Sequence, residues 1–336
     1  MLEINRANSR LWSMLGSRAV FGVSMLDAIE GTDNVMVLTA DLGISSGLER
    51  FRAAHPDKFL NIGIAEQNMI GIAAGLAKEG NNVFTTTFSN FAAARSYEQV
   101  RVHLGYMGLN VKVVGLAGGI ALGILGHTHC GVEDMALMRA VPGLTVIAPA
   151  DGAEIVKTVY VLIEHDGPVF VRLTGAANNP VVYTEDYDFK IGKAVRLKAG
   201  NDVAIFACGT MVYEALVAAK ELAKCGVSAS VTNMHTVKPL DGDPIDEACS
   251  TAKMLVSVEE HSVVGGLGGA IAEYAARRGG APRQLFIGLP DAPVHYGDYK
   301  YLLKKYGLTG EQIARTILAA CEDRAVDALN EQVMVD

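Results

Sequence analysis

Short runs of β-branched and apolar residues alternate with helical stretches along most of this chain, and that rhythm restricts the fold more than any other feature. Residues 35–39, 83–88, 111–117, 144–148 and 168–173 read as strands with helical segments between them, and a helix over 17–29 precedes the first. Strands that alternate with helices are joined by crossovers, so the sheet they form is parallel and covered by helices. Turn formers and acids over 175–188 break the rhythm. A second alternating set follows, with strands at 202–207, 228–232, 254–258 and 284–288 and helices at 212–224 and 270–277. The expected fold is α/β, two doubly wound domains with mostly parallel sheets, at 1–178 and 201–336, joined by a linker over 179–200. A length of 336 residues allows each domain its own core.

Charge and composition exclude several functions. A net charge of −8 repels polyanions, so neither nucleic acid nor an anionic membrane is expected as a partner. Half of the residues are hydrophobic, yet no uninterrupted apolar run is long enough to cross a bilayer. The excess apolar surface is therefore expected in subunit interfaces. Five cysteines, at 130, 208, 225, 249 and 321, are odd in number and lack CxxC spacing, which argues against a disulfide framework or a zinc ribbon. The first ten residues lack the apolar stretch of a secretory signal, so the expected location is cytoplasmic. The tail beyond Cys321 is polar and expected to be peripheral.

One carboxylate stands at the mouth of an apolar, small-residue helix: Glu66, followed by Gln67-Asn68-Met69-Ile70-Gly71 and a run to Ala77. This helix reads as buried, with Gly71 and Gly75 on an edge where another backbone could come close. A carboxylate in such a place is desolvated, and a buried acid able to donate a hydrogen bond is a catalytic candidate. The bland alternative is an acid favoured at a helix N-terminus by the dipole. Three further segments follow strands: 41–46, the aromatic pair Phe88 and Phe91, and the loop Gly126-His127-Thr128-His129-Cys130-Gly131. In open parallel sheets ligands collect where strands end.

Strand, acidic turn, Glu-Gln helix, aromatic pair and His loop, in this order, resemble the pyrimidine-binding and C-terminal domains of the transketolase family, over about residues 18–318. The resemblance implies a thiamine-diphosphate enzyme that moves a ketol unit between a ketose donor and an aldehyde acceptor. It makes Glu66 the acid that binds the cofactor's pyrimidine and shares a proton with its ring nitrogen, and Phe88 and Phe91 the rings that sandwich that pyrimidine. It makes His129 the catalytic group that meets the donor carbonyl oxygen. Arg18 and Ser45 fall where the family holds an acceptor phosphate, while His127 replaces a smaller residue or proline and is a candidate substrate contact. Leu125, Ala117 and Gly175 stand at or near the places of an acid, a histidine and an arginine, so a non-standard sugar is expected. Arg95 and Arg101 either supply replacement charge or are ordinary exposed helix arginines.

His127 to Cys130 can also be read as half a metal site, but alternate positions in one loop seldom supply more than two ligands. No metal ligand is expected on this chain. The family's Gly-Asp-Gly with a following Asn is missing from the sequence, and Leu240-Asp-Gly-Asp-Pro244 reads as a strand-to-helix turn. Mg²⁺ and the diphosphate are therefore expected on a separate N-terminal-type subunit, with this chain homodimerising inside an α2β2 assembly. The glycines of 265–269 lack the spacing of a phosphate or dinucleotide loop and read as a close strand-to-helix turn at a subunit contact. Two alternatives stand beside this reading: a β subunit of a 2-oxo acid dehydrogenase or of a deoxyxylulose-phosphate-synthase-like enzyme, and a non-catalytic scaffold or regulatory partner.

Overall fold

Asn5 begins the first helix by accepting hydrogen bonds from the amides of Ala7 and Asn8, and Gly16, at φ 81°, ends it. The computed structural model describes residues 2–322; Met1 and the tail from 323 onward, part of the expected peripheral tail, lie outside the described residues. After α1 (Arg6–Leu15) and α2 (Ser17–Ala28) come β1 (Val35–Thr39), α3 (Glu49–Ala54), β2 (Phe59–Asn61), α4 (Glu66–Lys78) and β3 (Asn82–Phe88). A long helical segment then carries π-type turns over Phe91–Arg95 and Val100–Tyr106 on either side of α5 (Tyr97–Gln99). Wide turns of this kind are rare and concentrate at functional sites. The first half closes with β4 (Val111–Gly118), α6 (Asp134–Ala140), β5 (Thr145–Ile147), α7 (Gly152–Glu164) and β6 (Val169–Thr174).

The second half contains β7 (Val195–Lys198), β8 (Val203–Ala207), α8 (Met211–Lys224), β9 (Ala229–Asn233), β10 (Thr236–Lys238) and α9 (Asp243–Thr251). It continues with β11 (Met254–Ser262), α10 (Leu267–Arg278), β12 (Gln284–Leu289), α11 (Tyr299–Lys305) and α12 (Gly310–Cys321). Two α/β layers result, with strand orders β10-β5-β6-β4-β3-β1-β2 and β12-β11-β8-β9-β7. Every strand of β4, β8 and β9 is buried along its length, as parallel strands covered on both faces must be.

Three departures from the sequence reading matter. Residues 179–200, expected as a linker, contain β7, which pairs antiparallel with β9 because Val195 and Leu197 alternate with longer polar residues. Strand β10 leaves the second sheet's run and pairs antiparallel with β5, lacing the two halves together. Only three residues long, it has too little pattern to be read from sequence. Helix α4 buries Met69, Ile70, Ala73 and Ala74, but Gly71 and Gly75 have no atom within 4 Å of an added Cβ. That edge faces outward, so no backbone of this chain makes the expected close approach.

Candidate active site

The buried carboxylate of Glu66 opens α4, 3 % exposed, and sits among the unpaired amides and positive dipole end of the first turn. Parallel pairing of β3 between β1 and β4 brings Thr87 beneath it, with Thr87 Oγ1 3.5 Å from Glu66 Oε1. The stronger partner is Arg95, whose Nη1 donates to both carboxylate oxygens at 3.0 Å. The same guanidinium lies over the face of Phe91, with Cζ 4.0 Å from the ring centroid. Glu66, expected to donate a hydrogen bond, here accepts two from Arg95 besides that from Thr87, because the π-type turn carries Arg95 back over Phe91 and onto the carboxylate.

Phe88 ends β3 and Phe91 starts the helical segment, and their centroids are 6.0 Å apart. Both rings meet His129 edge-on, at 6.0 and 5.6 Å. His129 arrives there because the loop after β4 folds back on itself: Gly119 N–H donates to Gly131 O at 2.7 Å, and Asn90 Nδ2 donates to Thr128 O at 2.6 Å. Gly119 has φ 73°, and a Cβ there would stand 2.2 Å from Glu260 Oε1. Only glycine permits this return. Thr128 Oγ1 lies 3.0 Å from His129 Nδ1 and steadies the ring. His127 points to the second half instead, its Nδ1 accepting from Val294 N–H at 3.3 Å. Glu66, Phe88, Phe91 and His129 are thus assembled into one wall, while His127 pins an adjoining loop.

Beneath that wall lies a network of charges that sequence reading missed. Arg172, 1 % exposed on β6, donates through Nε to Asp134 Oδ1 and Oδ2 at 2.9 and 2.8 Å, and through Nη2 to Gly131 O and Glu260 O at 2.9 and 2.8 Å. Asp134 also accepts from Ser89 Oγ, which stands between the two phenylalanines in sequence. Glu260 in turn accepts from Ile120 N–H at 2.8 Å and from Thr210 and Tyr299 hydroxyls at 2.7 Å. One buried cluster therefore holds the aromatic turn, the His loop and the second half in fixed relation. No local pattern marks these residues, since their partners lie 38 to 140 positions away.

Burial dominates the electrostatics of this layer. It lowers His261 to about 4, against the opposing pull of Asp134. The contacts agree with a neutral ring: Nδ1–H donates to Ser262 O at 2.7 Å and Nε2 accepts from Ala136 N–H at 3.3 Å. Burial raises Glu259 to about 7 although Leu267 and Gly268 amides donate to it at 2.7 and 2.8 Å. Those amides lie within the 265–269 glycine run, where α10 opens, so a carboxylate of the chain itself occupies what a phosphate loop would offer. Burial also raises Cys130 to about 11, leaving a thiol within the His loop.

Among the remaining candidates, Arg18 is half-buried on α2 with its pKa lowered by burial, and its side chain makes no hydrogen bond or ion pair among the described residues. Ser45 lies partly exposed in the turn before α3. No hydrogen bond among the described residues joins either of them to the Glu66 wall. Leu125 is 52 % exposed on a short helical turn, Gly123–Leu125, just before the His loop. Ala117 and Gly175 are buried at strand ends with φ of 55° and 79°, so they shape the backbone rather than line a surface. Arg101 pairs with Glu98 on the surface at 2.7 Å and stays away from the site. Among the described residues no group of three or more His, Cys, Asp or Glu could hold a metal ion, and no helix is long and apolar enough to cross a membrane.

The family described as transketolase, pyrimidine binding domain, matches residues 14–179, and that described as transketolase, C-terminal domain, matches 192–313. The chain is 41 % identical over 305 residues to a putative transketolase C-terminal section of Methanocaldococcus jannaschii, covering 90 % of this chain and 95 % of that one. It is 41 % identical over 293 residues to a 6-deoxy-6-sulfo-D-fructose transketolase subunit of a Clostridium species, covering 87 % and 90 %. A solved split-gene transketolase, described as an inactive β4 tetramer, superposes with a TM-score of 0.80 at 37 % identity, covering 89 % of this chain and 95 % of that one.

Proposed function

The chain belongs to the transketolase family, and from that premise we propose that it is the pyrimidine-side β subunit of a split, thiamine-diphosphate-dependent transketolase. In this reading it transfers a ketol unit from a ketose donor to an aldehyde acceptor once joined to a diphosphate-binding subunit. The observation that carries it is the single wall made by buried Glu66, Phe88, Phe91 and His129. A flat nitrogen heterocycle fits that wall, with an aromatic face to stack on and a carboxyl group at its edge. Thiamine diphosphate, when bound, supplies the carbon nucleophile that amino-acid side chains lack. Glu66 would hold the pyrimidine nitrogen and share its proton, and Phe88 and Phe91 would orient the ring and keep water out. His129 would donate a hydrogen bond to the donor's carbonyl oxygen, where negative charge grows.

The pyrimidine side fits this chain, whereas the donor set for Mg²⁺ does not, since no acidic cluster of the needed kind occurs among the described residues. Mg²⁺ and the diphosphate are accordingly assigned to the partner subunit of an α2β2, cytoplasmic assembly. The solved relative described as an inactive β4 tetramer supports the idea that β chains associate without turnover. We place the first domain at 1–178 and start the second ahead of the expected 201, because β7 already belongs to its sheet. Half-buried Arg18, without a counter-ion among the described residues, and Ser45 are the groups we assign to an anionic end of the substrate. His127 is assigned to the rim of the substrate pocket.

Leu125 points the substrate reading away from ordinary pentose phosphates. A leucine beside a sugar hydroxyl offers that hydroxyl no protein partner, at about 1–3 kcal/mol where no water takes the partner's place. A ketose that is deoxygenated, branched or differently charged is therefore preferred, and the relative named for 6-deoxy-6-sulfo-D-fructose supports that class. The test is reconstitution: the purified chain should be folded and inactive, and partner subunit, thiamine diphosphate and Mg²⁺ together should restore ketol transfer. kcat/KM for 6-deoxy-6-sulfofructose should then exceed that for xylulose 5-phosphate. Cofactor-dependent turnover by the isolated chain, or xylulose 5-phosphate as the better donor, would overturn the respective half of the reading.

A further inference from the structure

We propose that Arg95 is a built-in competitor for the pyrimidine seat, occupying Glu66 and Phe91 until the cofactor displaces it. The inference rests on the functional reading above and concerns how that site is filled. Two contacts define the seat, a carboxyl group at the edge and an aromatic face beneath, and the Arg95 guanidinium makes both at once. Its Nη1 reaches Glu66 Oε1 and Oε2 at 3.0 Å while its Cζ lies 4.0 Å over Phe91. A guanidinium is flat, edged with N–H donors and able to stack, so it presents to the two residues what a protonated aminopyrimidine presents. Both cannot use the same carboxylate edge and ring face together.

The backbone around Arg95 is held while its side chain is free to leave. Gln67 Nε2 donates to Arg95 O at 3.1 Å, and Ser96 N–H donates to Phe91 O at 3.3 Å, so the wide turn stays fixed. The Arg95 side chain is 45 % exposed against 3 % for its partner. Displacement thus needs only a rotamer change into solvent, with no rearrangement of β3 or α4. Arg101, six residues on, is spent on a surface pair with Glu98 and cannot substitute. Cofactor affinity is then the difference between two occupants of one seat, and an early-filled seat keeps the buried carboxylate paired during folding and assembly.

Two measurements test this. In the isolated chain, phenylglyoxal modification of arginines is followed residue by residue by mass spectrometry. Glu66→Ala should accelerate modification of Arg95 at least threefold and leave Arg52 and Arg101 unchanged; an unchanged Arg95 rate overturns the pairing. In the complex with the diphosphate-binding subunit and Mg²⁺, thiamine diphosphate binding is measured by calorimetry for the wild type, Arg95→Met and Arg95→Lys, each checked for folding by circular dichroism. Removal of the competitor should tighten binding three- to tenfold in Arg95→Met, with Arg95→Lys, which lacks the flat fork, tightened as well. Weaker or unchanged binding in both variants, with normal binding by the wild type, overturns the competitor role alone. A wild-type complex that binds no thiamine diphosphate overturns the functional reading and the competitor with it.

Discussion

Replacing Arg172 with methionine should be among the most damaging single changes to this protein, although Arg172 touches none of the proposed reacting groups. Methionine fills most of the arginine's volume with a flexible chain, so the effect isolates charge and hydrogen bonding from cavity formation. Four hydrogen bonds disappear, two to Asp134 and one each to Gly131 O and Glu260 O, at 2.8–2.9 Å. Asp134, with 0 % of its side chain exposed, is left as a buried carboxylate without its counter-ion. Losing one member of a buried ion pair costs about 3–5 kcal/mol, mostly for the stranded charge. For a large domain that corresponds to a drop in melting temperature of roughly 10 °C. The exposed pair Arg52–Glu49 provides the control, because breaking a surface pair costs about 0–1 kcal/mol. Urea unfolding of Arg172→Met, Arg52→Ala and the double variant Asp134→Asn/Arg172→Met, followed by circular dichroism, gives the three numbers needed. The double variant should recover at least half of the loss, since it removes the stranded charge. An Arg172→Met protein within about 1 kcal/mol of wild type, or a double variant no better than the single, would show that the pair is not what holds this layer.

Two further outcomes follow from the site. In the reconstituted complex, Glu66→Gln should slow hydrogen–deuterium exchange at the cofactor's thiazolium C2 by several orders of magnitude, whereas His129→Ala should leave that exchange largely intact and depress turnover; equal loss of exchange in both would mean that the two roles are wrongly divided. His261 is lowered to about 4 in the fold, from an ordinary 6.5, by burial. A depressed pKa contributes stability that is present above the unfolded value and is lost as pH falls through the folded one. The wild type should therefore lose stability relative to His261→Gln between pH 6.5 and 4, and parallel stability–pH profiles for the two proteins would contradict the neutral, buried ring. Glu259, raised to about 7, acts in the opposite sense, its stabilisation being present below 4.5 and lost as pH rises towards 7, so only the difference between the two proteins isolates His261.

Much of the fold could be read from the sequence because parallel strands advertise themselves. Buried on both faces, they appear as short continuous apolar runs, and 35–39 and 202–207 coincide within a residue with β1 and β8. Glu66 was legible for a related reason: a lone carboxylate before Met69, Ile70 and Ala73 stands out against the apolar helix it opens. Phe88, Phe91 and His129 could be proposed from their places after strands, since strand ends in such sheets converge on one edge. Tertiary structure alone decided which neighbours those side chains meet. It turned His129 onto the aromatic pair and His127 onto Val294, two positions apart on one short turn whose residues face different ways. It also placed Arg95 on Glu66, which depends on a wide turn that no propensity scale marks, and it buried Arg172, Asp134 and Glu260 together from segments far apart in the chain. Local pattern encodes which face of an element is apolar. Which charges meet across elements is set by register and by the return of loops, and those are properties of the assembled sheet rather than of any stretch of sequence.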